Sequence, residues 1–195
     1  MAQKQIVVIA GPTGSGKDSI IQGILSRFSN CSRLVTATTR AKRPNEKDGV
    51  DYHFLTRNKF LEEMKEGNIL EYNYRKNLDT YYGTYKPALE EQLASGKIIF
   101  AQVQIIGARY LKEHYGATLI FIRPSSFETL EARIRERDKT LTDAELRERI
   151  EIARQEVEED AKEYDYTIMN EQGKLTEAID NAVEILKKEG YTLTS

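Results

Sequence analysis

The chain has 195 residues, a hydrophobic fraction of 39% and a charged fraction of 31%, which is most simply one globular domain with its own core. A net charge of −2 argues against a general nucleic-acid or membrane-surface binder, so any anion must be held by local basic clusters. Cys31 is the only cysteine, which excludes an internal disulfide framework and a thiolate zinc site. With neither a signal-peptide pattern nor an apolar run of membrane-span length, the expected location is the cytoplasm.

Strand and helix patterns alternate along most of the chain. Strands are predicted at residues 5–10, 33–37, 98–103, 117–122 and 166–169. Helices are predicted at residues 17–28, 85–95, 104–114, 126–138, 143–163 and 174–188. This alternation favours an α/β fold with a parallel sheet covered on both faces.

Several helix ends carry their own sequence signals. The segments Ser125–Glu128 and Thr142–Glu145 both fit a capping box, and Gly96 ends the helix that begins near Tyr85. These signals support the predicted helix boundaries.

Residues 40–84 break the alternation. They are polar and rich in tyrosine, with short strands predicted at 51–55 and 69–74 around a helix at 57–66. We interpret this segment as an insertion on the sheet.

A phosphate-binding loop follows the first strand. The residues fit the first seven positions of the pattern G-x-x-x-x-G-K-[ST]: Gly11, Pro12, Thr13, Gly14, Ser15, Gly16 and Lys17. Glycines let backbone N–H groups converge on a polyphosphate, and the following helix directs its positive end at the same anion. Lys17 is then expected to reach the β- and γ-phosphates. Because a strand precedes the loop and an amphipathic helix follows it, the sequence predicts nucleotide binding here.

The eighth position of the loop departs from the pattern. Asp18 stands where a hydroxyl normally binds Mg²⁺, and the hydroxyl is displaced to Ser19. Asp18 is either a first-turn acid stabilised by the helix dipole or a residue of the metal site.

Residues 36–54, TATTRAKRPNEKDGVDYHF, resemble the acceptor segment of guanylate kinases. Glu71, the triplet Tyr82-Gly83-Thr84 and the stretch Glu163–Tyr166 resemble the same family. The resemblance implies an α/β P-loop kinase in one domain, residues 1–195, with a parallel-sheet core formed by residues 1–35, 85–125 and 164–195. It also implies an acceptor-binding insertion at 36–84 and a helical lid at 126–163.

The dianion of a nucleoside monophosphate needs cationic donors of fixed geometry and hydroxyls for the remaining lone pairs. Arg40, Arg43, Tyr52 and Tyr82 are of the right types, and the resemblance assigns them to the GMP phosphate, with Glu46 supporting the arginines. From the residues alone, a solvated basic turn is an equal alternative for the two arginines.

A carboxylate suits guanine, since guanine presents N–H donors where adenine presents an acceptor. Glu71 matches the family residue with this task, and its alternative is an exposed acid at a strand end. Thr36 and Thr84 match hydroxyls that the family places near the base.

The predicted strand after the insertion departs from the family pattern D-x-D-x-Q-G. Gln102 and Gln104 replace both acids, and Ile106 replaces the usual glutamine. We hypothesise that Asp18 takes over Mg²⁺ or its water shell, a task suited to carboxylate oxygen. Gln104 remains a neutral acceptor for the guanine amino group, which predicts weaker discrimination between bases.

Three arginines are candidates for charge neutralisation during phosphoryl transfer, a reaction that depends on alignment and on cations. Arg133 and Arg137 lie four apart on one helix, and Arg149 lies beside the apolar stripe of the next helix. The resemblance casts them as lid cations, whereas an isolated helix would favour surface ion pairs. Asn170 matches a family position near adenine.

These observations favour a nucleoside monophosphate kinase that uses ATP and Mg²⁺, with GMP as the leading acceptor and small nucleotides as its only expected partners. Ribose 1,5-bisphosphate kinases are an alternative, because they resemble this chain in the Asp after the loop lysine and in lacking the later acids. A non-catalytic guanylate kinase-like binding module is the other alternative. The sequence leaves the oligomeric state open.

Overall fold

A computed structural model describes residues 4–195, except the side chain of Asn77. Its larger sheet contains five parallel strands in the order β2-β7-β1-β8-β9. The strands are β1 Ile6–Ala10, β2 Cys31–Arg33, β7 Ile98–Ala101, β8 Thr118–Pro124 and β9 Tyr166–Asn170. The predicted α/β fold with a parallel sheet is confirmed.

Both faces of this sheet are covered by helices, as its continuous apolar strands require. All five residues of β1 are buried; Val7 and Ile9 pack on one face, and Ile6 and Val8 on the other. The first face is covered by α1 Lys17–Arg27 and α7 Leu175–Lys188, and the second by α3 Lys86–Ala94 and α4 Ile105–Tyr115.

The predicted strand at 33–37 is wrong in its boundaries. The chain pairs with β7 as far as Arg33, and Leu34 donates its backbone N–H to Phe100 O at 2.9 Å. It then leaves this sheet, and β3, Ala37–Thr38, belongs to a second one. The sequence did not reveal this change from one sheet to the other, because the apolar pattern continues through residues 33–37.

The second sheet has four strands in the order β4-β3-β6-β5. Its remaining strands are β4 His53–Phe54, β5 Ile69–Arg75 and β6 Thr80–Tyr85, and α2, Arg57–Lys65, precedes β5. Strand β6 was not predicted, and the strand predicted at 51–55 is reduced to β4. Most of this sheet lies within the segment interpreted as an insertion, but β3 precedes residue 40 and β6 ends at Tyr85, one residue beyond the segment.

Helices α5, Phe127–Arg137, and α6, Asp143–Glu158, follow β8 in the chain and precede β9, and they pack on each other. The helix predicted to reach residue 163 ends at Glu158, and a 3₁₀ turn follows at Asp160–Glu163. The capping box at Thr142 is present.

The capping box predicted at Ser125 is wrong by one residue. The extended residue before α5 is Ser126, whose hydroxyl accepts from the Thr129 N–H at 3.1 Å. Adjacent serines offered two similar caps, and backbone conformation selects the second.

Within residues 4–195, no helix is long and apolar enough to cross a membrane.

Candidate active site

The glycine-rich loop lies between β1 and α1, at the carboxyl edge of the parallel sheet. Gly11, Gly14 and Gly16 have φ values of 141°, 84° and 91°, which side chains rarely adopt. A Cβ atom on Gly16 would also lie 2.2 Å from Asn170 Nδ2. The backbone conformation of the loop therefore requires glycine at these three positions. The N–H groups of this backbone can converge on an anion.

Lys17 begins α1, and its side chain folds back over the loop. Its Nζ donates to Pro12 O at 3.3 Å. Burial lowers the pKa of Lys17, and the carboxylates of Asp18 and Glu156 oppose this shift. A lysine largely withdrawn from water interacts more strongly with a polyphosphate than an exposed one does.

Asn170 ends β9 directly beneath the loop. It is 4% exposed, and its Nδ2 donates to Ser15 O at 2.7 Å. The structure therefore places Asn170 as a support for the loop backbone, and its predicted contact with adenine stays a prediction. Ser19 is exposed on α1.

A cavity of about 610 Å³ opens beside the loop, and we call it the loop cavity. Its lining includes Gly11, Thr13, Lys17, Asp18, Arg33, Gln102 and Glu156. Glu156 Oε2 is buried there without a hydrogen-bond partner in the part of the chain that the structure describes. Burial raises the pKa of Glu156, while Lys17 and Arg75 oppose the rise. The α6 helix thus presents to this cavity a carboxyl oxygen that accepts no hydrogen bond from the described residues and lies in the field of Lys17 and Arg75.

Of the three candidate lid arginines, two contact the loop. Arg133 Nη1 donates to Gly14 O at 3.5 Å, and Arg137 Nη2 donates to Thr13 Oγ1 at 3.3 Å. Arg149 instead forms an ion pair with Asp138 at 2.6 Å. None of the three is among the described residues that line the loop cavity. In this conformation Arg133 and Arg137 contact the loop itself, and Arg149 contacts Asp138.

Asp18 lies at the mouth of the loop cavity, with its side chain 64% exposed. Arg33 Nη2 contacts Asp18 Oδ1 at 3.0 Å, and the same nitrogen donates to Gln102 Oε1. A carboxylate beside the phosphate loop is the oxygen ligand that Mg²⁺ prefers, so the residues present fit that ion. Arg33 therefore joins two of the positions at which the chain departs from the family pattern, Asp18 and Gln102.

A second cavity of about 350 Å³, the insertion cavity, lies between β5, β6 and the start of α4. Its lining includes Thr36, Arg40, Arg43, Glu46, Tyr52, Glu71, Tyr82 and Gln104. The structure therefore brings together all but one of the predicted acceptor residues. Thr84 is fully buried and contacts Glu71.

Glu46 organises the two arginines of the insertion cavity. Its Oε1 pairs with Arg40 Nη2 at 2.6 Å, and its Oε2 accepts the Arg43 backbone N–H at 2.8 Å. The Arg40 hydrogen bond holds the pKa of Glu46 below its usual value, and Glu46 raises that of Arg40. The expected supporting role of Glu46 therefore has a geometric basis.

Aromatic rings flank these cations. The Arg40 guanidinium carbon lies 5.5 Å from the centroid of the Tyr52 ring, and Tyr52 meets Tyr82 edge-on at 6.1 Å. Each of these packing contacts restricts the side chains to few rotamers. A cluster of ordered guanidinium and hydroxyl groups suits a phosphate dianion.

Glu71 is held in place by Thr84. Its Oε1 accepts from the Thr84 backbone N–H at 3.1 Å and from Thr84 Oγ1 at 2.6 Å. A Cβ on Gly107 would lie 2.7 Å from Glu71 Cδ, so only glycine leaves room for this carboxylate. Burial raises the pKa of Glu71, against the effect of both Thr84 hydrogen bonds.

Gln104 lies at the N-cap of α4 and already has a partner. Its Oε1 accepts from Asn73 Nδ2 on β5. The acceptor atom predicted to read the guanine amino group is thus shared with a neighbouring amide.

Sequence reasoning missed Arg33, Asn73, Arg75 and Glu156. Asn73 and Arg75 follow Glu71 at the period of two that places side chains on one strand face. The predicted strand at 69–74 contained Asn73 but ended one residue before Arg75. Arg33 carried no such signal, because its partners are 15 and 69 residues away in sequence.

Cys31 is buried, which raises the pKa of its thiol to about 11 and argues against a role as a nucleophile. Among residues 4–195, no group of three or more His, Cys, Asp or Glu side chains is placed to hold a metal ion.

The parallel sheet, the glycine loop after β1 and the crossover helices define the P-loop kinase fold. A family model described as guanylate kinase matches residues 3–189. The chain belongs to the guanylate kinase family.

Individual relatives agree with the family match. A guanylate kinase of Synechocystis sp. is 36% identical over 95% of this chain and 94% of its own length. A guanylate kinase of Chlorobium chlorochromatii is 38% identical over 91% of each chain. The crystal structure of guanylate kinase from Anaplasma phagocytophilum superposes with a TM-score of 0.72 at 27% identity, covering 98% of this chain and 89% of that one.

Proposed function

We propose that this protein transfers the γ-phosphate of MgATP to GMP, forming ADP and GDP. The observation that carries the proposal is the partly buried carboxylate of Glu71 in the insertion cavity, with the Arg40–Glu46 pair, Arg43 and two tyrosines lining the same cavity. That arrangement matches a guanine with N–H donors and a phosphate dianion on one molecule. Curated relatives named guanylate kinase support the same acceptor.

The loop cavity is the proposed ATP site. The loop backbone and Lys17 would hold the β- and γ-phosphates. Arg133 and Arg137 already contact the loop, and a small movement of α5 and α6 would bring their guanidinium groups onto the transferring phosphate. Arg149 would also bind the transferring phosphate after breaking its ion pair with Asp138. This proposal retains residues 126–163 as a lid, 36–84 as the acceptor-binding insertion, and the rest as the core.

An oxygen of the acceptor phosphate attacks the γ-phosphorus, and the bond from that phosphorus to the ADP oxygen breaks with its electron pair. The acceptor is already ionised, so no side chain has to act as a general base. Arg40, Arg43, Tyr52 and Tyr82 orient the attacking oxygen. Asp18 would hold Mg²⁺ or its water shell, and the ion would neutralise charge on the β- and γ-phosphates.

The same proposal places the protein in purine nucleotide metabolism in the cytoplasm, where ATP and GMP are available. A ribose 1,5-bisphosphate kinase would share the loop residue Asp18. However, it would have no use for the partly buried Glu71 carboxylate, whose ionisation is disfavoured by desolvation.

The test is ADP formation from MgATP with GMP, dGMP, AMP, UMP, CMP and ribose 1,5-bisphosphate as separate acceptors. We expect turnover with GMP and dGMP and at least about 10-fold slower turnover with the others. Turnover confined to ribose 1,5-bisphosphate would overturn the proposal in favour of the sugar-phosphate kinase. MgATP binding with no turnover on any acceptor would favour a binding module.

A further inference from the structure

The loop cavity and the insertion cavity share a wall. The described residues that line both are Thr36, Tyr52, Arg75, Gln102, Val103 and Gln104. Arg75 alone among them is charged. If the two cavities hold the donor and the acceptor, the shared wall is where the two phosphate groups meet.

Strand alternation explains why Arg75 points there. Residues Glu71, Asn73 and Arg75 share one face of β5, while Tyr72 and Tyr74 lie on the opposite face. Four residues of strand span about 13 Å. If Glu71 binds the guanine of a bound nucleotide, Arg75 lies far enough along β5 to reach the phosphate of the same nucleotide.

The surroundings of Arg75 leave its charge available for an anion. The guanidinium lies 5.2 Å from the centroid of the Tyr82 ring, which orients it without neutralising it. Within residues 4–195 Arg75 forms no ion pair, whereas Arg40 is paired with Glu46 at 2.6 Å. Arg75 is also one of the charges that oppose the raised pKa of Glu156, so its field reaches across the loop cavity.

We propose that Arg75 is a further catalytic residue, whose guanidinium binds phosphate oxygens of donor and acceptor at once and neutralises the charge that shifts between them. This inference rests on the proposed function. The reacting bonds are those already given, and Arg75 donates hydrogen bonds to phosphate oxygens without giving up a proton. A planar guanidinium with several N–H donors can contact two phosphates together, which a lysine ammonium does less well.

The first test compares Arg75→Gln and Arg75→Lys with Lys76→Gln. Lys76 is the adjacent exposed cation and lines neither cavity, so its substitution makes the same charge change outside the site. We expect Arg75→Gln to lower kcat about 100-fold, with smaller changes in KM for ATP and GMP. Arg75→Lys should recover part of the rate, and Lys76→Gln should match the wild type.

The second test measures binding of an analogue in which five phosphates join adenosine to guanosine. We expect Arg75→Gln to weaken this analogue about 30-fold or more while changing the affinity for ATP alone or GMP alone by less than about 3-fold. Equal losses for GMP alone and the analogue would show that Arg75 only positions Tyr82, and would overturn the inference. So would an Arg75→Gln variant as active as Lys76→Gln.

The two proposals fail in distinguishable ways. An active wild type with an unaffected Arg75→Gln variant removes only the role of Arg75. A wild type that is inactive on GMP removes the proposed function and this inference with it. Thermal unfolding of each variant identifies any loss of activity that comes from a loss of folded protein.

Discussion

The two sheets of this molecule differ in how they are built. The five-stranded sheet buries apolar side chains on both faces, as the completely buried β1 shows. The four-stranded sheet has a small core of Ala37, Phe60 and Ile69, and its tyrosines and charged residues line a cavity instead. We therefore expect stability to be concentrated in the first sheet and, under the proposed function, choice of acceptor in the second. Five predictions follow from this division.

The largest expected effect is that of Lys17→Met, at the edge of the large sheet. We expect kcat to fall about 10³-fold, because the phosphates lose a cation held in a partly dehydrated site. Thermal stability should be unchanged or higher, since burial already disfavours the Lys17 charge. Steady-state kinetics and thermal unfolding measure both quantities, with the exposed Lys97→Met as the matched control. Retention of a tenth of the wild-type rate would contradict the assignment.

Phe100→Ala and Phe60→Ala compare the sheets directly, because each removes a fully buried ring. Phe100 lies in the large core, so its loss should lower the free energy of unfolding by about 3–5 kcal/mol. Phe60 stacks on Tyr81 at 5.2 Å, so its loss should act mainly on the small sheet and raise KM for GMP about 10-fold. Denaturant unfolding and hydrogen exchange distinguish global from local loss. If both variants lost hydrogen-exchange protection equally in the two sheets, the proposed difference between the sheets would be contradicted.

Glu71→Gln should lower kcat/KM for GMP about 100-fold, because an amide N–H₂ then faces the guanine N–H donors. The amide oxygen can keep both Thr84 hydrogen bonds, so the fold should persist. Kinetics on GMP and AMP measure the effect, and unchanged preference between them would contradict guanine reading by Glu71.

The same variant has a signature in the pH dependence of stability. Burial raises the pKa of Glu71 in the folded state, so its ionisation costs stability as pH rises through that value. The glutamine carries no charge. Between mildly acidic and neutral pH, the free energy of unfolding should therefore fall less for Glu71→Gln than for the wild type, and urea titrations at several pH values measure this difference.

The smallest effect is expected for Gln104→Asp. A charged acceptor strengthens the bond to the guanine amino group, which should sharpen the preference for GMP over AMP about 5-fold. Asn73 already donates to residue 104 and would hold the new carboxylate in place. A competition assay with both nucleotides measures the preference. If the wild type already prefers GMP strongly and the variant does not change this, the weaker base discrimination predicted for Gln104 is contradicted.

The difference between the sheets also explains what the sequence could predict. The large sheet was predicted because long apolar strands and amphipathic helices carry a local periodicity, and the phosphate loop because its chemistry lies in adjacent residues. The small sheet was predicted in part: β4 is two residues long, and β6 was missed among tyrosines. Arg75 could have been found from its alternation with Glu71. The contacts of Arg33 could not, since they exist only after β2 and β7 are paired.

Arg33 finally bears on how this site can change over evolutionary time. Its guanidinium serves Asp18 and Gln102 together, from a third segment of the chain. Replacing Asp18 alone would leave the guanidinium with only a neutral partner, and restoring an acid at position 102 alone would add a second carboxylate to one arginine. Each single step changes the charge balance around the Arg33 guanidinium, whereas a joint change preserves it, so we expect substitutions at these positions to occur together.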